Sequence, residues 1–165
     1  MNRLKPQAEK IIAEEQAGFR AGKSTTELIF NLRILCKKYL QHQQDFYYVF
    51  IDFKKAFDRI WLAALWATLK VYNIIRVIKH RYDTATSAVL LSSSVRDWFR
   101  TTVGVRQGCL LSPTFFNIFM KRIMTDALDD HEGTVSIGGR TITNPRFADV
   151  NDGLAGEEQE LAKLL

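Results

Sequence analysis

Two aspartates occupy positions where a carboxylate is hard to explain by folding alone. Asp52 ends the aromatic and β-branched run Tyr48-Val49-Phe50-Ile51-Asp52-Phe53, and Asp149 lies in Arg146-Phe147-Ala148-Asp149-Val150, after a turn signal. A carboxylate at the end of a buried apolar strand is costly unless it is paired, capped or bound to metal. Each could therefore be a cap or turn residue where its strand exits. On adjacent strands the pair could instead bridge two divalent ions ~3.5–4 Å apart, an arrangement that clamps the attacking and leaving oxygens of an in-line phosphoryl displacement. Hard oxygen ligands favour Mg²⁺.

The elements that must hold these groups can be read from periodicity. Residues 1–15 are polar and charged, an arm or a short helix. Ser24-Thr25-Thr26-Glu27 has the capping-box pattern, and Leu28, Leu32, Leu35 and Tyr39 follow at helical spacing. Phe46 to Phe53 reads as a strand buried on both faces. Asp58 is placed to cap a second helix whose apolar stripe is Trp61, Leu62, Leu65, Trp66 and Leu69, and a short helix covers Ile74 to Tyr82. Ala88 to Leu91 and Trp98 to Val103 form a hairpin around Ser92-Ser93-Ser94. Gly104 to Leu111 is a glycine-punctuated loop. Ser112-Pro113 opens a long helix, with serine as N-cap and proline in the first turn. That helix shows Phe115, Phe116, Phe119, Ile123 and Leu128. Gly138-Gly139 joins Val135-Ser136-Ile137 to Arg140-Thr141-Ile142 as a two-residue hairpin. Phe147 to Val150 is the next strand, and Glu157 to Leu165 an amphipathic helix. The order predicts an α+β fold, with helices over a mainly antiparallel sheet.

Composition narrows the function classes. The 165 residues are 47% hydrophobic and 25% charged, with a net charge of +5, which suits a globular domain and tolerates a polyanionic partner. Cys36 and Cys109 are isolated, as buried thiols in a reducing, intracellular compartment would be. His42, His80 and His131 show no ligand spacing. No apolar run approaches the ~18–20 residues needed to cross a bilayer. The start carries no secretory signal. Gly18-Phe19-Arg20-Ala21-Gly22-Lys23-Ser24 has the look of a phosphate loop. Its first glycine is one residue too close, however, and no strand precedes it.

Four motifs in order carry a resemblance. Phe50-Ile51-Asp52-Phe53-Lys54-Lys55-Ala56-Phe57-Asp58 resembles the first palm motif of reverse transcriptases of non-LTR (LINE-type) retrotransposons. Gly104-Val105-Arg106-Gln107-Gly108-Cys109-Leu110-Leu111-Ser112-Pro113, with Phe116-Asn117 after it, resembles the second, and Phe147-Ala148-Asp149-Val150 the third. Gln16 to Thr25 is similar to the family's fingers motif. The resemblance implies the fingers–palm portion of a right-hand polymerase fold, with a fingers-like segment over residues 1–45 and a partial palm over 46–165. It implies RNA-directed DNA polymerase ancestry with an RNA template, a DNA primer, deoxynucleoside triphosphates and two Mg²⁺ ions, Mn²⁺ being an alternative.

Roles follow position by position. Asp52 and Asp149 match the catalytic metal ligands. Phe57 matches the aromatic that excludes a 2′-hydroxyl; on local sequence it could equally be a core phenylalanine. Gln107 and Gly108 match the loop along the templating pair and incoming nucleotide. Arg20 and Lys23 match basic fingers positions that contact triphosphate or template, and read alone they are solvated charges. Lys54, Lys55 and Arg106 are candidate contacts to the nucleic-acid backbone. The basic run from Arg76 to Arg81 could be the wet face of a helix.

Three departures from the family pattern are visible. Val150 stands where relatives carry a second aspartate, and Asp152 is two positions further on. The helices near Tyr72-Asn73-Ile74-Ile75 nearly abut, where relatives have a longer loop. The chain ends at Leu165, before the further palm strands and thumb expected of the family. These departures predict impaired catalysis and an exposed palm surface prone to self-association. They also leave open a non-catalytic nucleic-acid-binding module, or an inert product of a decayed element.

Overall fold

The computed structural model describes residues 4–72, 76–128, 133–142 and 144–164. In chain order its elements are α1 (Leu4–Ile11), α2 (Thr25–Gln41), β1 (Tyr47–Asp52), a 3-10 turn (Phe57–Arg59), α3 (Leu62–Val71), α4 (Arg76–Asp83), β2 (Leu90–Leu91), β3 (Ser94–Val95), α5 (Ser112–Ala127), β4 (Ser136–Ile137), β5 (Arg140–Thr141), β6 (Arg146–Phe147), β7 (Val150–Ala155) and α6 (Glu158–Leu164). They are distributed between two compact units. One comprises Met1–Lys10 with Lys55–Phe119, the other Ile11–Lys54 with Met120–Leu165. The expected mixture of helices and antiparallel sheet is present.

The second unit is built on a sheet of order β1-β7-β6, antiparallel throughout. Residues directly opposite in such a ladder share a face. Tyr48, Phe50 and Asp52 on β1 therefore lie on the face of Leu154, Asp152 and Val150 on β7. One end of this face is core: Leu154 packs with Leu35 of α2 and with Val135, and Leu32, Tyr39, Phe46, Tyr48, Ile137 and Ile142 close around them. The other end is open. Phe50 is 68% exposed and Asp52 is exposed. The strand expected to be buried on both faces is thus covered only in part, because α2 reaches the Tyr48 end alone.

α2 carries its apolar stripe as its periodicity predicts, but the capping box does not form. Ser24 is the N-cap without a side-chain cap hydrogen bond. The Glu27 carboxylate instead accepts from Lys23 Nζ at 3.1 Å, so an i,i+4 ion pair replaces the reciprocal cap. The Gly138-Gly139 hairpin forms as expected, with φ of +57° and +81° at its two glycines and the Ile142 N–H donating to Val135 O at 2.8 Å. Phe147 to Val150 is not one strand: Ala148 and Asp149 form the tight turn between β6 and β7.

In the first unit Leu62, Leu65, Trp66 and Leu69 of α3 are buried with Val105, Phe115, Phe116 and Ile118. Trp66, Tyr82 and Phe115 meet edge-on, with ring centroids 5.0–6.5 Å apart. Trp61, assigned to this stripe by spacing, is 64% exposed, because it precedes the helix and bridges Val103 instead. Asp58 does not cap α3, and lies in the 3-10 turn. Ser112 does not cap α5 from outside, since it is the helix's first residue and its hydroxyl donates to Arg106 O at 2.6 Å. The serine hairpin turns at Ser92 and Ser93, both at positive φ, and its ladder extends through Ser87 and Phe99. Cys36 and Cys109 are free thiols, only partly buried. Ile74 and the shortened connection at Asn73-Ile74-Ile75 lie outside the described residues.

Candidate active site

The open end of the sheet gathers both candidate metal ligands in one unit. Asp52 is the last residue of β1 and pairs with Val150, the first residue of β7. The next residue along β1, Phe53, donates its N–H to Asp149 O at 3.2 Å. Asp149 therefore sits in the turn at the end of the ladder where Asp52 emerges. Val150, directly facing Asp52, offers neither charge nor ligand.

The turn is held from the opposite edge of the sheet. Residues 15–18 run alongside β6: the Arg146 N–H donates to Glu15 O at 2.9 Å and the Ala17 N–H to Arg146 O at 2.8 Å. Ala148, the first turn residue, adopts a φ of +56°, a region that favours glycine. The Gln16 side chain is buried and grips that residue. Its Oε1 accepts from the Ala148 N–H at 3.0 Å and from the Gly18 N–H at 2.8 Å, and its Nε2 donates to Ala148 O at 3.3 Å. Gly18 lies so close that a Cβ there would meet Ala148 N at 2.1 Å. The sequence singled out this segment for Arg20 and Lys23 and assigned Gln16 no role. No local pattern could reveal a partner 132 residues away.

Asp152 shares the Asp52 face, one pair deeper, opposite Phe50. Burial raises its pKa, with the Tyr48 hydroxyl working the other way, and among the described residues its Oδ1 is buried without a hydrogen-bond partner. The Tyr48 phenol is raised too, by burial first and then by Asp152. Asp152 thus lies deeper in the sheet face, opposite Phe50, whereas Asp52 is opposite Val150. On the other face, Asn151 and Arg146 are buried opposite one another, and Arg146 Nε donates to Asn144 Oδ1. Burial lowers the Arg146 pKa, with Glu15 opposing.

The remaining sequence-predicted residues fall into two groups. In the second unit, Arg20 Nη1 donates to Ala13 O at 2.9 Å and Gln16 O at 3.1 Å, tying it to its own segment. Lys23 pairs with Glu27 on the surface, and Lys54 is exposed beyond β1. In the first unit, Phe57 is half-buried and stacks on Phe116, centroids 4.5 Å apart and planes 14° off parallel. Gln107 Nε2 donates to Asp58 Oδ1 at 2.9 Å, joining two segments 49 residues apart in sequence. Gly104 packs on the Asp58 backbone, where a Cβ would come within 2.8 Å of Asp58 O. Gly108 has open space beside it, and its φ of +77° is what suits glycine. The Arg106 guanidinium lies 5.4 Å from the Tyr82 ring centroid, and Lys55 is exposed at a φ of +56°.

Residues 1–149 match the family model described as reverse transcriptase (RNA-dependent DNA polymerase). The chain belongs to that family. A probable RNA-directed DNA polymerase from transposon BS of Drosophila melanogaster is 32% identical to this reverse transcriptase chain over 116 residues, covering 67% of it and 12% of the fly protein. Two solved telomerases share the fold. One, an apo telomerase from Candida tropicalis truncated from its C-terminal domain, aligns over 99% of this chain and 35% of its own, with a TM-score of 0.70 and 16% identity. The other, from Candida albicans in complex with a TWJ fragment of telomeric RNA, aligns over 98% and 30%, with a TM-score of 0.65 and 13% identity. The chain thus spans about a third or less of each relative. Among the described residues no helix is long and apolar enough to cross a membrane.

Reverse transcriptases generally use divalent metal ions. The donors here are of the right kind: two carboxylates at one sheet end, one of them solvent-exposed. They fit a hard divalent cation, but sparsely. Among the described residues no three or more acidic, histidine or cysteine side chains are grouped to hold a metal.

Proposed function

We propose that this reverse transcriptase domain is the fingers–palm portion of a non-LTR (LINE-type) retrotransposon enzyme, with fingers over residues 1–45 and palm over 46–165, and that its catalysis is impaired. Asp52 and Asp149 are the catalytic carboxylates and hold Mg²⁺ or Mn²⁺ weakly. The observation that carries this reading is the pairing of Asp52 with Val150 beside the Asp149 turn. A divalent ion held by these carboxylates would supply Lewis-acid charge to the attacking 3′-hydroxyl and to the leaving pyrophosphate. Phe57, Gln107 and Gly108 contact the incoming deoxynucleotide and templating base, with Arg20 and Lys23 on triphosphate or template. Lys54, Lys55 and Arg106 contact the backbone of an RNA template and DNA primer.

Primer extension on an RNA template tests this. Extension by the native chain should be absent, or at least about tenfold weaker than by Val150→Asp, a barrier difference of ~1.4 kcal/mol. Adding Asp52→Ala should abolish whatever Val150→Asp restores. Equal synthesis by native and Val150→Asp proteins, or synthesis that survives Asp52→Ala, would contradict the reading.

Exposed Lys54 and Lys55, which follow Asp52 in the sequence, favour a second reading, a nucleic-acid-binding module without chemistry. It requires binding of single-stranded RNA that weakens steeply with salt as counterions are released. No retention at low salt would exclude it.

A further inference from the structure

We propose that Gln16 is a positioning residue for Asp149: its side-chain amide locks the Ala148-Asp149 turn and so sets where the carboxylate points. Three observations converge. Gln16 is 2% exposed, so water does not compete for its bonds. Its Oε1 receives two backbone N–H groups, from Gly18 and Ala148, which fixes the amide orientation because only the oxygen can accept. Its Nε2 returns a bond to Ala148 O, so both polar groups of one peptide-bearing residue are satisfied by a single side chain.

The geometry explains why the turn needs such a clamp. Ala148 is held at positive φ without being glycine, a conformation that costs energy unless its surroundings impose it. The ladder alone ends at the Phe147–Val150 pair. Beyond it, Gln16 and the close-packed Gly18 backbone define the turn from one side and Phe53 from the other. Outer residues that orient a ligand commonly govern metal affinity as strongly as some ligands do. The segment preceding α2 therefore acts on the metal through Ala148. This inference rests on the reading of Asp149 as a metal ligand.

The test uses the full chain carrying Val150→Asp, with Gln16→Met and Gln16→Glu added separately. Methionine keeps the length and removes all three bonds. Glutamate keeps the acceptor for the two N–H groups. Amide exchange at Ala148 reads the clamp, and Mn²⁺ titration reads its consequence. We expect Gln16→Met to deprotect the Ala148 amide while amides within α2 keep their protection, and to weaken Mn²⁺ binding about 10–100-fold. Gln16→Glu should retain the Ala148 protection. Unchanged Ala148 exchange in Gln16→Met overturns the clamp. Faster exchange with unchanged Mn²⁺ affinity overturns the positioning role and leaves a structural one. If the Val150→Asp parent binds no Mn²⁺ at all while Ala148 still loses protection, the metal reading itself fails, and the positioning role with it.

Discussion

Asp52 and Val150 face each other directly across the antiparallel ladder, at the end where the Asp149 turn closes the sheet. A carboxylate placed at position 150 would therefore stand opposite a like charge. Directly opposed like charges destabilise a strand pair, by roughly 0.2–1 kcal/mol. Val150→Asp should lower the unfolding free energy from urea titration by about that much in EDTA, with a lower midpoint, and added Mn²⁺ should reverse the loss. A midpoint that falls equally with and without Mn²⁺ would show that the two carboxylates do not share an ion.

Gly18 is in contact with the turn backbone. Gly18→Ala would drive a methyl into Ala148 N, and the backbone there cannot yield as a flexible side chain would. A loss of about 1–3 kcal/mol is expected, the usual range for overpacking. Chemical denaturation measures it. A change within 0.5 kcal/mol, as for an ordinary surface site, would mean that the segment does not seat on the turn (roughly the range of uninvolved positions).

Asp152 gives a pH dependence of definite sign. Its folded pKa is raised from its ordinary value of 3.8, burial being the main cause. The folded state then binds the proton more tightly than the unfolded state. The favourable contribution is complete below the unfolded pKa and disappears as pH rises through the folded one. At neutral pH the buried charge works against folding. Asp152→Asn keeps the size and removes that charge. It should raise the thermal midpoint at pH 7, with the gain shrinking as pH falls toward 4. A gain that is constant with pH would place its origin elsewhere.

Much of this architecture was legible because it depends on neighbours in sequence. The α2 stripe of Leu32, Leu35 and Tyr39 and the Gly138-Gly139 turn need only local periodicity and backbone preference. The ordered motifs around Asp52, Gln107 and Asp149 identified the family, which the matched residues 1–149 show. Features that rest on competition between partners were not legible. Glu27 was expected to cap α2, but Lys23 holds it at i,i+4. Asp58 was expected to cap α3, but Gln107, 49 residues away, donates to its carboxylate. The apolar run of β1 suggested burial on both faces, yet helix coverage stops at Tyr48 and leaves Phe50 exposed. The Gln16 clamp joins the two ends of the second unit and has no local signature.

Asn151 is a further point of strain. It lies on central strand β7, fully buried, and among the described residues neither polar atom of its side chain has a hydrogen-bond partner. A buried polar group left unsatisfied costs about 1–3 kcal/mol. Asn151→Val, a residue suited to a central strand, should raise stability by about 1 kcal/mol. A comparable loss would show that the amide has a partner such as a buried water.

The most direct measurement is Mn²⁺ titration of the native chain, Val150→Asp and Val150→Asp with Asp52→Ala, under conditions where all three are folded. A sparse two-carboxylate site beside Val150 predicts weak binding by the native chain, binding tighter by about tenfold or more in Val150→Asp, and loss of that gain with Asp52→Ala (~1.4 kcal/mol per tenfold). Identical titrations for all three would contradict the assignment of Asp52 and the Asp149-Val150 turn as one metal centre.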